Sequence, residues 1–153
     1  CDAYHVTAPH PEAAAASQSI RLATEEAGIG QEDTSGLYIN AHGTGTPLND
    51  SAETLAIKLA LGRGAYRALI SSTKSMTGHM LGAAGAAEAI AAILTLREGL
   101  IPPTIGYVEP DPACDLDVVP NVPRKADIHR ALSLSLGFGG HNACLAFARA
   151  EGM

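Results

Sequence analysis

The stretch LYINAHGTGTPLNDSAE, residues 37–53, decides how this chain folds. Its first four residues form an apolar run of strand length, preceded by Gly36 and followed by a loop rich in Gly and Thr. Asp50 with Glu53 three residues on has the form of a capping box, so a helix is expected over 50–61. Strand, glycine loop and helix in that order make one unit of an α/β fold. The alternation continues on both sides. Pro11 can open and Gly28 can stop a helix over 12–27, and a second strand fits 68–73. The apolar run over 81–96, with Glu88 as its single acid, reads as a buried helix entered through a Gly-rich turn. A proline-rich crossing loop over 101–112 leads to strands over 131–136 and 142–148. Gly137-Phe138-Gly139-Gly140 separates these two as a hairpin turn carrying one exposed aromatic.

The 153 residues suffice for one domain with a sizeable core, and the whole of 1–153 is read as one unit. A hydrophobic share of 46% against 17% charged suits a well-buried body and excludes a disordered one. The net charge of -6 argues against a nucleic-acid partner and against a membrane surface. Charged residues, Gly and Pro interrupt every apolar run before it reaches membrane-spanning length. The chain opens on CDAYHVTAPHP, with neither Met nor a secretory leader pattern, and is read as a piece of a cytoplasmic protein. Cys1, Cys114 and Cys144 show no CxxC spacing, which fits a reducing compartment better than a disulfide framework. Asn49-Asp50-Ser51 has the form of a glycosylation acceptor and is read as a chance match.

Three loops at strand ends gather the residues able to do chemistry: 40–46, 74–85 and 137–142. A lone His beside glycines is first of all a hydrogen-bonded loop residue. Two of them, His42 and His79, on two such loops can together hold a carbonyl oxygen by N–H donation, or one can act as general acid or base. Lys74 offers a cation that could pair with Glu53. The glycines lack the third member of GxGxxG, and GxSxG and HExxH are absent.

Taken jointly, NAHGTGTPLNDSAE, SSTKSMTGHMLGAAGAAE and GFGGHN resemble the C-terminal half of the elongating β-ketoacyl-acyl-carrier-protein synthases, within the thiolase superfamily. Pro102-Pro103-Thr104 and Cys114-Asp115-Leu116-Asp117 also match that family's habit. The resemblance implies one half of a thiolase-like α-β-α-β-α layered fold, with a mixed five-stranded sheet and helices. It also implies a decarboxylative Claisen condensation between an acyl-enzyme and malonyl-acyl-carrier protein in fatty acid elongation. By that pattern His42 and His79 are the catalytic histidines, Lys74 and Glu53 form a supporting pair, and Phe138 is the gating aromatic. Gly137 and Gly139 flank the gate, while Thr7, Thr44 and Thr46 bind the phosphopantetheine arm. Asn40, Glu88 and Ser133 fall where some members hold a structural Na or K ion; no other cofactor is implied. Leu134 and Leu136 stand where Asn and Phe are expected. The implied partners are acyl carrier protein, the N-terminal half of the enzyme and a second copy of the full enzyme.

The family's cysteine nucleophile precedes a helix start, where the dipole lowers its pKa. Cys1 leads into Asp-Ala-Tyr, Cys114 sits among acids and Cys144 lies within an expected strand, so none fits. The nucleophile is expected in the N-terminal half, and this chain alone is expected to be inactive. The alternatives are a polyketide ketosynthase and a non-catalytic partner resembling a chain-length factor.

Overall fold

A computed structural model describes residues 1–31 and 33–150, and its organising element is β1 (Leu37–Asn40). Side chains alternate across a strand, so Leu37 and Ile39 join one core while Tyr38 joins the other. All four residues of β1 are buried, which requires cover on both faces. β2 (Leu69–Ser71) and β5 (Arg130–Gly137) run parallel to β1 on either side, and β6 (His141–Ala148) pairs antiparallel with β5. The sheet order is β2-β1-β5-β6. This mixed sheet has four strands where the resemblance implies five. The residues that follow Ile101 are too rich in proline to donate a ladder of hydrogen bonds. Leu100–Ile101 (β3) instead pairs with Arg124–Lys125 (β4) as a separate antiparallel ribbon.

α1 (Ala14–Glu26) and α2 (Pro47–Leu61) cover one face of the sheet. Ile20, Ala56, Ile57, Ala60 and Leu61 pack there on Leu37, Ile39, Leu132 and Leu134. α1 starts two residues later than expected, because Ala13 N–H first closes a turn on His10 O at 2.9 Å. α2 starts three residues earlier than expected, at Pro47, whose missing N–H costs nothing at a helix start. Asp50 therefore lies inside the first turn, and its carboxylate accepts Gly45 N–H at 3.2 Å rather than capping the helix.

Between β2 and the other face stand the short helix α3 (Lys74–Thr77) and a 3-10 turn, Leu81–Ala83. α4 (Ala84–Glu98) follows, so the helix expected over 81–96 is tight in its first turn and two residues longer at its end. Ala92 and Leu96 of α4 meet Tyr38 and Ala131, where each large aliphatic side chain fully buried is worth about 1.5–3 kcal/mol. The outward side of α4 remains apolar: Ile90, Ile93 and Leu94 are 59%, 48% and 41% exposed. No helix among the described residues is long and apolar enough to cross a membrane.

Candidate functional site

β2, β1 and β5 are adjacent and parallel, so the loops that follow them leave the sheet at one edge. That edge is where open α/β sheets gather reactive groups. It carries His42 after β1, Lys74 and His79 after β2, and Phe138 after β5.

The His42 and His79 rings meet edge to face, with centroids 5.5 Å apart and planes at 84°. His42 is buried, and burial lowers its pKa to about 4, helped by the positive charge of Lys74 and by His79. It is therefore a neutral imidazole near pH 7. Its Nδ1 is buried without a hydrogen-bond partner. His79 is exposed, and its Nδ1 accepts Leu81 N–H at 3.0 Å, which leaves Nε2 to donate when the ring is neutral. Leu81 pays for this bond with a left-handed φ of 51°, strain of the kind that collects at functional sites.

The loop around His42 is clamped from α2. His42 N–H donates to Glu53 Oε1 at 2.6 Å and Gly43 N–H donates to Glu53 Oε2 at 2.8 Å. Burial nevertheless outweighs these bonds and raises Glu53 to about 7. From the other side Ser72 Oγ donates to Gly43 O at 2.7 Å. A Cβ at Gly43, whose φ is +41°, would lie 2.4 Å from Ser72 Cβ, so only glycine fits.

The expected partnership of Lys74 with Glu53 is not what the structure holds. Lys74 pairs with Glu88 of α4, both side chains being 4% exposed. Glu53 is occupied by backbone donors, whereas Glu88 reaches the ammonium from below and leaves Oε2 without a partner. Asn40 lies beneath, donating to Thr73 Oγ1 and Glu88 O at 3.3 Å each, and it sits opposite Ser133 in the β1–β5 register. Among the described residues no group of three or more His, Cys, Asp or Glu is placed to hold a metal.

Phe138 stands 74% exposed at the tip of the β5–β6 turn. Gly139 donates its N–H to Val6 O at 2.7 Å and so offers none to a substrate; its role is to shape the turn, with φ +77°. Gly137 closes the ladder opposite His141, which is exposed. Thr44 and Thr46 share a hydrogen bond of 2.9 Å between their hydroxyls at the loop surface. Thr7 is exposed on the N-terminal segment that holds the Phe138 turn.

Among the cysteines, burial pushes Cys144 up to about 12 and Cys114 upward, which keeps both protonated; Cys1 is exposed. Sequence reasoning assigned no role at the site to Ser72, Asn49 or Thr104. Thr104 Oγ1 accepts Ser72 N–H at 3.1 Å and donates to Val118 O at 2.8 Å, bracing the loop after β2. Nothing in the spacing of these polar residues marks them; only the fold brings them to the histidine loops.

The family described as the β-ketoacyl synthase C-terminal domain matches residues 1–108. The chain is 53% identical to a 3-oxoacyl-[acyl-carrier-protein] synthase 2 of Synechocystis sp. over 149 residues, which cover 97% of it and 35% of that relative. It is 51% identical to the synthase of the same name from Staphylococcus aureus, over 98% of this chain and 36% of that one. It thus spans little more than a third of the length of these relatives. Among solved structures it is similar to an ishigamide ketosynthase/chain length factor (TM-score 0.89, 43% identity, covering 98% of this chain and 36% of that one). It is also similar to the type II polyketide ketosynthase assembly AntDE:AntF (TM-score 0.92, 41% identity, with the same coverage).

Proposed function

Because the chain belongs to the family of β-ketoacyl synthase C-terminal domains, we propose that it is the C-terminal half of a 3-oxoacyl-acyl-carrier-protein synthase of fatty acid elongation. The observation that carries this reading is the pair of imidazoles at the strand edge, 5.5 Å between centroids, with His79 Nε2 left to donate.

In this reading an acyl group is held as a thioester on a cysteine of the N-terminal half. Malonyl-acyl-carrier protein enters with its phosphopantetheine arm held by Thr44, Thr46 and Thr7. His42 and His79 donate N–H bonds to the malonyl thioester oxygen. The bond from Cα to the carboxylate breaks, carbon dioxide leaves, and its electron pair becomes an enolate whose charge falls on that oxygen. Donors fixed where charge develops are worth about 3–4 kcal/mol each. A His42 held neutral by burial and by Lys74 gives a hydrogen bond without surrendering a proton that would quench the enolate. The enolate carbon then attacks the acyl carbonyl, whose oxyanion is met by Phe138 N–H, and the cysteine leaves as thiolate.

Asn40 and Ser133, opposite each other in the β1–β5 register, and Glu88, whose Oε2 has no partner, are the residues that would hold a monovalent cation. No step depends on it. The partners are acyl carrier protein, the N-terminal half, which would cover Ile90, Ile93 and Leu94, and a second copy in a cytoplasmic dimer. Identity of 53% to the fatty-acid type of synthase against 41–43% to the polyketide structures supports the former pathway. The test has two arms. His79→Ala in the intact enzyme should abolish malonyl decarboxylation, and normal decarboxylation there refutes the role of His79. The isolated chain should catalyse no condensation, and measurable turnover refutes the placement of the nucleophile elsewhere.

A further inference from the structure

Three backbone N–H groups of the His42 loop are held by two acids of α2: those of His42 and Gly43 by Glu53, that of Gly45 by Asp50. The two acids are three residues apart on one helix face, and as like charges they push against each other. Between them lies the amide of Asn49, itself only 8% exposed. Its Nδ2 donates to Asp50 Oδ1 at 3.1 Å and to Glu53 Oε2 at 3.4 Å. Turning this amide over would aim Oδ1 at two carboxylates, so chemistry fixes its orientation.

We propose that Asn49 is a positioning residue for His42: an uncharged double donor that ties Asp50 and Glu53 into one clamp on the loop. It touches no reacting atom and works through the two carboxylates. The residue type is specific to the task. An –NH2 group carries two hydrogens for two acceptors. Aspartate would add a third negative charge, and alanine would leave a buried and a half-buried acid facing each other.

The charged groups acting on Glu53 are Asp50 on its own helix and Lys74 from the loop after β2. Ionised, Glu53 accepts the His42 and Gly43 N–H groups with separate oxygens; protonated, one oxygen becomes a donor facing an N–H. The clamp therefore closes as pH rises through the raised value of about 7. Asn49→Asp, by added negative charge, and Asn49→Ala, by a lost hydrogen bond, both favour the protonated carboxyl and move closure to higher pH.

The catalytic consequence rests on the reading of His42 given above, so the test separates the two. In the intact enzyme, wild type, Asn49→Asp, Asn49→Ala and Glu53→Gln are compared between pH 5.5 and 9. A carboxyl raised in the folded state contributes stability that is fully present below its unfolded value and falls as pH rises through the folded one. The urea midpoint should therefore fall over a range ending near pH 7 in wild type, and about one unit higher in both Asn49 variants. Glu53→Gln should lack this fall. The acid limb of kcat/KM for malonyl decarboxylation should move up with it, with kcat lowered and KM for acyl loading unchanged. Unaltered pH dependence of the midpoint in both Asn49 variants overturns the clamp. A shifted midpoint in an enzyme whose wild type performs no decarboxylation supports the clamp and refutes the catalytic reading alone.

Discussion

Replacing Lys74 by Met should destabilise the protein strongly, because it strips the counter-charge from a carboxylate that cannot reach water. Lys74 and Glu88 side chains are each 4% exposed, and Glu88 Oε2 already lacks a partner. Removing one member of so buried a pair costs about 3–5 kcal/mol, whereas replacing both by apolar groups of similar volume is close to neutral. Lys74→Met and Glu88→Leu should thus each lose several kcal/mol, and the double variant far less than their sum. Urea denaturation of the intact enzyme, followed by circular dichroism, measures these losses. A double variant that loses the full sum, or a Lys74→Met loss below about 1 kcal/mol, would refute the reasoning that the pair is a single buried unit.

Two further outcomes follow from the His42 loop. The His42 ring, lowered to about 4 by burial, should show no titration between pH 5.5 and 8 in the NMR spectrum of the intact enzyme labelled at histidine, and a midpoint above 6 would contradict its environment. Gly43→Ala meets Ser72 Cβ at 2.4 Å with φ at +41°, so backbone strain and overpacking together should cost about 2–5 kcal/mol in denaturation and lower the decarboxylation rate.

Much of the fold was legible because its signals are local. The apolar run at Leu37–Asn40, the Gly28 stop and the Gly137–Gly140 turn each act within a few residues. The same locality explains the errors. Asp50 and Glu53 have capping-box spacing, but Pro47 starts the helix earlier, which frees both acids for the loop. Spacing cannot show that a carboxylate is better used by a backbone it meets only after folding. The fifth strand came from resemblance; among the described residues the main sheet has four strands, and Leu100–Ile101 pairs with Arg124–Lys125 as a separate ribbon.

By itself the sequence determined the α/β alternation, the family, and the two histidines on their glycine loops. Those features follow from periodicity and from motifs that read the same in any context. Only the tertiary structure decided that Lys74 belongs to Glu88, that Glu53 belongs to the backbone of His42 and Gly43, and that Asn49 joins the clamp. Partners of buried polar groups are chosen by which chains meet in a water-free space. Hydrogen bonds and charges are directed across the layers of the fold, and the distance along the chain carries no record of that direction.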